Sequence, residues 1–180
     1  MSEPTAPSQP WYAAYPAPKS EVVTISRDEV LALLKSAAAS SPEKKRDFVL
    51  VDLRRNDFEG GTIRGSVNLP AQSLPLTLPS VYELLKAAGM TRVIWYCDAR
   101  HELSVGVMDL INSSIIGSST GRGSRATGWM ADHIASVGDK EMQSLALAGG
   151  IKGWAAAGGE FVEWMDGYDA AVWDKSAPGC

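Results

Sequence analysis

Short apolar runs alternate with helix-like patterns along most of this chain. Runs of four residues predict buried strands at 22–25, 48–51, 66–69, 93–96 and 144–147. Apolar residues at helical spacing predict helices after Ser26, from 82 to 88, from 125 to 135 and through Trp154. Ser26 and Glu29 match the capping box that begins a helix. Strands that alternate with helices predict an α/β fold, with a parallel sheet covered by helices on both faces.

The two ends of the chain differ from the part between them. Residues 1–21 are rich in proline, so we expect an extended arm with polyproline character. Its aromatic residues Trp11, Tyr12 and Tyr15 are expected to pack back onto the domain; the alternative, a role of the arm as a peptide ligand, lacks a flanking basic residue. The folded domain is expected to span residues 22–165, and residues 166–180 are expected to form a C-terminal tail.

Composition and charge are those of an ordinary globular protein. The chain has 180 residues, of which 45% are hydrophobic and 21% charged, and a net charge of −4 does not support binding to nucleic acid. No apolar run approaches the roughly 20 residues that cross a bilayer, and the N-terminus lacks the regions of a signal peptide. We therefore expect a cytoplasmic or nuclear protein that binds no membrane, with Cys97 and Cys180 as reduced thiols.

Cys97 is the residue that points most directly to chemistry. It follows the predicted strand at 93–96, and the carboxyl ends of strands are where open α/β sheets bind their ligands. The N-terminus of a helix behind it would offer amides that bind an anion and stabilise a thiolate. A glycine-rich turn at 117–123 is followed by such a helical pattern, but it begins far beyond Cys97.

Two motifs on either side of Cys97 carry a resemblance to a known family. The front motif is DLR at 52–54 with GTIRGSVNLP at 61–70, and the rear motif is GGIKGW at 149–154. With a strand-ending cysteine between them, the chain resembles the rhodanese superfamily, and in particular its fungal single-domain members. This resemblance implies a five-stranded parallel sheet with helices on both faces. The chain departs from the family pattern at Thr62, where histidine is usual, and at Ser66, where alanine is usual.

Most residues of the two motifs have structural explanations. Asp52 and Arg54 can pair at the end of a strand and hold the loop that follows. Gly65 permits a tight backbone conformation. Gly150 belongs to the rear motif, and Trp154 is interpreted as an anchor of the core rather than as a ligand platform.

The resemblance also implies the role of the loop behind Cys97. The superfamily includes sulfurtransferases, cell-cycle phosphatases and eukaryotic arsenate reductases, and the last two share the spacing Cys-x5-Arg around a bound anion. Arg122 and Gly123 resemble the end of such a loop. Cys97 would then be the nucleophile and Arg122 would bind the anion. The cradle would consist of Gly117, Ser118, Ser119, Thr120, Gly121 and Gly123.

Residues 98–116 separate Cys97 from that loop. Without them, Cys97 would be followed by 117–121 and then by Arg122, which restores Cys-x5-Arg. The segment is either a genuine insertion, such as a lid or partner-binding loop, or translated intron sequence. We favour the second hypothesis, because a loop that aims successive amides at one anion cannot absorb such a segment without losing its geometry. A junction one residue later would give Cys-x4-Arg instead.

The expected function is cysteine-dependent chemistry on a small anion. The anion could be arsenate, with a thiol reductant such as glutathione, or a phosphoester, or thiosulfate-like sulfur; the restored spacing favours the first two. The alternative is a non-catalytic binding module with a disrupted loop. No cofactor and no metal are expected. We expect the pKa of the Cys97 thiol to lie below about 8.5. The expected decrease is smaller while residues 98–116 are present. His101 is interpreted as an incidental loop residue and His133 as a surface residue.

Overall fold

A five-stranded parallel sheet forms the centre of the molecule. The computed structural model describes residues 10–41, 45–98 and 121–174. Within them, the strands are β1 (Thr24–Ile25), β2 (Phe48–Asp52), β3 (Thr62–Ile63), β4 (Val67–Asn68), β5 (Arg92–Tyr96), β6 (Gln143–Leu147) and β7 (Met165–Asp166). The parallel sheet has the order β1-β6-β5-β2-β4, which places β5 in its middle. The predicted α/β fold with a five-stranded parallel sheet is confirmed.

Helices cover both faces of this sheet. They are α1 (Arg27–Ala39), α2 (Leu74–Ala87), α3 (Arg122–Ser136), α4 (Gly150–Ala156), α5 (Gly159–Glu163) and α6 (Ala170–Asp174), with 3-10 turns at Trp11–Ala14 and Ala71–Ser73. Residues of α1 and α4 share one hydrophobic cluster, and residues of α2 and α3 share the other. In the part of the chain that the structure describes, no helix is long and apolar enough to cross a membrane.

The start of α1 follows the prediction from the sequence. The Ser26 hydroxyl accepts a hydrogen bond from the Glu29 amide at 3.2 Å, and the Glu29 carboxylate accepts one from the Ser26 amide at 3.0 Å. This reciprocal capping satisfies two amides that the first turn of a helix leaves without partners. Val30, Leu31 and Leu34 then bury the apolar face of α1.

Helix α2 begins eight positions before the predicted start at residue 82, at Leu74. Pro75 and Pro79 hid this extension, because proline inside a predicted helix indicates a break. Pro75 lies in the first turn, where the missing amide costs nothing, and Pro79 removes only one hydrogen bond of the helix. Leu74, Leu78 and Tyr82 compensate by burying one continuous face at helical spacing.

The C-terminal part of the described chain packs against β3 and against the loop before it, residues 53–61, which is named the front loop. Strand β7 pairs with β3 in a second, antiparallel sheet, with Thr62 opposite Asp166 and Ile63 opposite Met165. From α6, the Trp173 Nε1 group donates a hydrogen bond to the Gly60 carbonyl at 2.7 Å. Residues 166–174, which the sequence analysis assigns to a tail, therefore contribute structure. Two-residue strands carry no period-two pattern that could have predicted them.

The N-terminal arm lies along the outer side of α3. The rings of Trp11 and Tyr15 meet that of Trp129 edge to face, with centroids 6.1 and 6.3 Å away. The Trp129 Nε1 group donates a hydrogen bond to the Pro16 carbonyl at 2.8 Å. The prediction that the aromatic residues of the arm pack back onto the domain is confirmed. The expected extended conformation is interrupted by the 3-10 turn at Trp11–Ala14, and residues 1–9 lie outside the described residues.

Candidate active site

Cys97 directly follows β5, in the middle of the parallel sheet. Alternation along β5 places Val93, Trp95 and Cys97 in the cluster beneath α2 and α3, whereas Ile94 and Tyr96 belong to the opposite cluster. The backbone on both sides of this position is held by the two sequence motifs. The Leu53 amide donates to the Tyr96 carbonyl at 2.8 Å, and the Ile151 amide donates to the Cys97 carbonyl at 3.1 Å. The sulfur is therefore carried on a rigid support that faces α3.

The N-terminus of α3 meets the sulfur of Cys97. Gly121 is the N-cap of this helix, and Arg122 and Gly123 begin its first turn. Gly123 lies beside the Cys97 sulfur, since a Cβ atom on it would lie 3.8 Å from Sγ, and the Gly123 amide and the Arg122 side chain both act to lower the pKa of the thiol. The structure thus brings together Cys97, Arg122 and Gly123, although residues 98–116 separate them in sequence. Of the other predicted cradle residues, Gly117, Ser118, Ser119 and Thr120 lie outside the described residues.

Burial governs the ionisation of Cys97. The residue is only 7% exposed, and desolvation raises the pKa of its thiol, while the Gly123 amide and Arg122 act in the lowering direction. The prediction of a lowered pKa is therefore wrong for this structure. The sequence indicated the two donors but not the depth at which the sulfur is buried. A buried thiolate loses hydration that one amide and one guanidinium do not replace.

Asp57 occupies the guanidinium fork of Arg122. The Arg122 Nη1 group donates to Asp57 Oδ1 at 2.9 Å, and Nη2 donates to Asp57 Oδ2 in the second arm of the fork. These hydrogen bonds hold the pKa of the Asp57 carboxyl well below its usual range and raise the pKa of Arg122. Sequence reasoning missed Asp57. Its position in the loop after β2, at the same edge of the sheet as Cys97, is the signal that could have indicated it.

Asp52 and Arg54 form a buried structural pair. The Asp52 side chain is 0% exposed and that of Arg54 1%. Arg54 Nε donates to Asp52 Oδ1 at 3.0 Å and Nη2 donates to Oδ2 at 2.8 Å. The remaining donors of Arg54 reach the Glu59 carbonyl at 2.7 Å and the Gly61 carbonyl at 2.6 Å. All branches of the guanidinium are thereby engaged in holding the front loop, as predicted for these two residues.

The two departures from the family pattern meet at one hydroxyl group. The Tyr96 hydroxyl donates to Ser66 Oγ at 2.8 Å, and it lies 2.7 Å from Thr62 Oγ1. The Ile63 amide donates to the same hydroxyl at 3.2 Å. Burial raises the pKa of Tyr96, and the nearby charge of Asp52 adds to this shift. Thr62 and Ser66 therefore act together, as partners of the residue that precedes Cys97.

A buried chain of hydrogen bonds ties α3 to the sheet. Trp95 Nε1 donates to Ser144 Oγ at 3.0 Å, and Ser144 Oγ donates to the Thr127 carbonyl at 2.8 Å. Thr127 Oγ1 in turn donates to the Gly123 carbonyl at 2.9 Å. The chain runs from β5 through β6 to the first turn of α3, so it holds Gly123 in its place beside the sulfur.

The remaining predicted residues have mainly structural roles. Gly65 has φ +71° and Gly150 has φ +55°, and both values lie in the region that favours glycine. Trp154 is fully buried and donates from Nε1 to the Phe161 carbonyl at 2.7 Å, which confirms that it anchors the core. His133 is half-buried on α3, and its ring meets that of Tyr82 edge to face. His101 and Cys180 lie outside the described residues.

Comparison with solved structures identifies this architecture. Two structures of a yeast protein tyrosine phosphatase of the rhodanese family each align with a TM-score of 0.61 at 20% identity. The first alignment covers 86% of this chain and 98% of the yeast chain, and the second covers 87% and 95%. The chain has the rhodanese-like fold. The As-Sb reductase of Leishmania major aligns with a TM-score of 0.58 at 17% identity, over 80% of this chain and 84% of that one. No protein-family model and no curated protein sequence matches the chain.

A surface cavity lies next to the pair of Arg122 and Asp57. A cavity of about 330 Å³ at the carboxyl edge of the sheet is lined by Arg54, Asn56, Asp57, Glu59, Asp98, Lys152, Val172 and Trp173. Lys152 pairs with Asp98, the neighbour of Cys97, at 3.3 Å. The lining of the cavity thus carries charged side chains of both signs and includes Asp57 and Asp98, but it does not include Cys97 or Arg122. Among the described residues, no group of His, Cys, Asp or Glu side chains is arranged to hold a metal ion.

Proposed function

We propose that this protein is a thiol enzyme that acts on a small oxyanion, with Cys97 as the nucleophile and Arg122 as the anion-binding residue. The observation that carries this proposal is the convergence of three groups at one point. The Cys97 sulfur, the Gly123 amide and the Arg122 guanidinium meet at the N-terminus of α3, at the carboxyl edge of the sheet. Such an end offers amides and a positive dipole to an anion.

The chemistry of these groups matches the first step of an oxyanion displacement. The sulfur would form a bond to the central atom of the anion, while the bond from that atom to a leaving oxygen breaks and solvent protonates the oxygen. The planar guanidinium of Arg122 would hold two oxygens of the anion and balance their charge. The amide of Gly123 would act in the same direction, because this residue already lies beside the sulfur.

Phosphoester and arsenate are the preferred substrates within this class. The restored spacing Cys-x5-Arg supports them over thiosulfate. The solved structures with this fold include a protein described as a tyrosine phosphatase and one described as an As-Sb reductase. With arsenate, two thiols such as glutathione would together supply the two electrons for reduction and end as a disulfide.

The test compares three activities in one chain. Cys180→Ser leaves Cys97 as the single cysteine, because the chain contains two. Hydrolysis of p-nitrophenyl phosphate, arsenate reduction with glutathione, and sulfur transfer from thiosulfate to cyanide are then measured. We expect one of the first two activities, and its loss by at least a thousandfold in Cys97→Ser. A chain that is inactive in all three, or an activity that survives Cys97→Ser, would contradict the proposal.

One set of observations favours a second candidate, a non-catalytic binding module. Cys97 is 7% exposed with a raised thiol pKa, and the fork of Arg122 is occupied by Asp57. A module of this kind would bind an oxyanion or a partner without forming a covalent bond. Trapping distinguishes the two, because an enzyme treated with substrate and quenched in acid yields a mass increase on Cys97, whereas a module yields none.

A further inference from the structure

The Asp57 carboxylate resembles an oxyanion in the place where an oxyanion would bind. Its two oxygens accept from the two Nη groups of Arg122, which is the geometry by which a guanidinium binds the edge of a phosphate or arsenate. One planar fork cannot hold two such edges at once. A substrate that uses Arg122 in this way must therefore displace Asp57.

Building on the proposed function, we infer that Asp57 is a specificity-determining residue: an internal competitor that the substrate displaces from Arg122. Asp57 lies in the loop after β2, and this position allows its carboxylate to move away from Arg122. Asp57 Oδ1 also accepts from the Arg55 amide at 3.0 Å, so the carboxylate belongs to a local turn rather than to the core. Its side chain is 34% exposed and that of Arg122 is 22% exposed. Asp57 can therefore turn toward water when it leaves the fork, without opening a cavity in the core.

The competitor selects among anions by charge. A monovalent anion gains no more from Arg122 than the carboxylate that it replaces. A divalent tetrahedral oxyanion brings more charge and can also accept from the Gly123 amide, which Asp57 is not seen to do. An anion must therefore bind more strongly at Arg122 than the Asp57 carboxylate does. This condition favours divalent oxyanions over carboxylates and other monovalent anions.

The same pair influences the sulfur. Arg122 acts on Cys97 in the direction that lowers its pKa, but Asp57 neutralises this guanidinium while the pair is intact. Removal of the Asp57 charge without a replacement would leave the guanidinium to stabilise the thiolate, so Cys97 should ionise more readily in a chain that lacks this carboxylate.

Inorganic tungstate is a suitable probe, because it is a divalent tetrahedral oxyanion. Binding is measured by calorimetry in Cys97→Ser, Cys97→Ser/Asp57→Asn and Cys97→Ser/Glu59→Gln. Asparagine keeps the oxygen that accepts from the Arg55 amide, so the turn is retained. Glu59→Gln is the matched control, since Glu59 is exposed in the same loop and lines the same cavity.

We expect Asp57→Asn to tighten tungstate binding about ten- to a hundredfold, the factor that loss of a charge-assisted pair gives. Glu59→Gln should change it by less than about threefold, as an exposed charge does. Unchanged or weaker binding in Asp57→Asn would overturn the inference, because Asp57 would then orient Arg122 instead of competing with the anion. If Asp57→Asn does not fold, Asp57→Ser is tested with the same expectation.

A second readout separates this inference from the proposed function. In the Cys180→Ser chain, the pH dependence of Cys97 alkylation should shift to lower pH in Asp57→Asn, and should stay in place in Glu59→Gln. If no variant binds tungstate, the proposed function is wrong, and Asp57 then has no role in substrate selection. If the pH dependence of Cys97 alkylation is the same in Asp57→Asn as in the parent, Asp57 does not neutralise Arg122. This result would overturn the inference even where tungstate binds.

Discussion

At the scale of the residue, the state of Cys97 depends on opposing effects. Burial raises the pKa of its thiol, and the Gly123 amide and Arg122 oppose that effect. Arg122 is also bound by Asp57, so its charge acts on the sulfur only in part. A thiol in these surroundings is a weak nucleophile until the balance changes.

The first prediction concerns the ionisation of Cys97. In the Cys180→Ser chain, the rate of alkylation by iodoacetamide should rise with pH through a midpoint above about 8.5, because burial disfavours the thiolate. Arg122→Ala should move the midpoint higher, and Arg122→Lys should move it less, because lysine keeps the charge but loses the fork. Arg125→Ala, one turn later in α3, is the control and should have little effect. If the alkylation midpoint of the Cys180→Ser chain lies below that of a free cysteine, the argument from burial is wrong.

The second prediction concerns Tyr96, whose hydroxyl joins three groups. Tyr96→Phe would leave Thr62 and Ser66 without this partner and the Ile63 amide without an acceptor. We expect the free energy of unfolding to fall by about 1–3 kcal/mol, the usual effect of leaving a buried polar group unsatisfied. Urea denaturation measures it.

The control for this prediction is Tyr82→Phe. The Tyr82 hydroxyl has a single acceptor, Asp139, at 2.9 Å. We expect a smaller loss than in Tyr96→Phe. If both variants lose the same amount, the Tyr96 network contributes no more than one ordinary hydrogen bond.

At the scale of the element, α3 makes contacts on two sides. Its first turn faces Cys97, and its middle carries the N-terminal arm. The Asp132 carboxylate accepts from the Ser20 amide at 2.8 Å, and the ring of Tyr12 lies 3.6 Å from the guanidinium carbon of Arg125. The helix is thus held between the sheet and the arm.

The third prediction tests the contact between α3 and the arm. A Cβ atom at Gly128 would lie 2.4 Å from Pro18 Cβ, a distance that requires the arm to move. Gly128→Ala should therefore detach the arm, even though alanine favours a helix by about 1 kcal/mol over glycine. Faster hydrogen exchange of the Lys19 and Ser20 amides, which donate to Asp132, would report it. Pro18→Gly in the same chain should restore protection, and unchanged exchange in Gly128→Ala alone would refute the contact.

At the scale of the whole molecule, the question is what residues 98–116 contribute. Gly123 already lies beside the Cys97 sulfur, so the site comes together across this segment. A chain advances at most about 3.3–3.6 Å per residue, so residues 117–121 are long enough to join Cys97 to Arg122 directly. The contact that the deletion removes among the described residues is the ion pair between Asp98 and Lys152, which is partly exposed. A pair of this kind contributes about 0–1 kcal/mol.

The fourth prediction follows for the chain without residues 98–116. It should fold, with a melting temperature equal to or above that of the parent. Its Cys97 should also alkylate at lower pH, because the restored loop would aim further amides at the sulfur. Deletion of 98–117, which gives Cys-x4-Arg, is the control for loop length. A markedly lower melting temperature in both deletions would show that the segment is part of the core.

The tertiary structure overturned the sequence interpretation at specific residues. Asp57 belongs to no motif, and only the meeting of two loops at one edge of the sheet shows that it binds Arg122. The raised pKa of Cys97 follows from burial, which depends on how α2 and α3 cover the sheet. The pairing of β3 with β7 depends on a contact between residues about a hundred positions apart, and no local pattern records it.

The sequence by itself determined the α/β class, the capped start of α1, the pairing of Asp52 with Arg54 and the position of Cys97 at the end of a buried strand. These features follow from local rules, because apolar periodicity, capping residues and glycine positions act within a few residues along the chain. Only the tertiary structure decided which carboxylate pairs with Arg122, how deeply the thiol is buried, and that the arm lies along α3. Those outcomes depend on distance in space, where hydration and charge are set by neighbours that are remote in sequence.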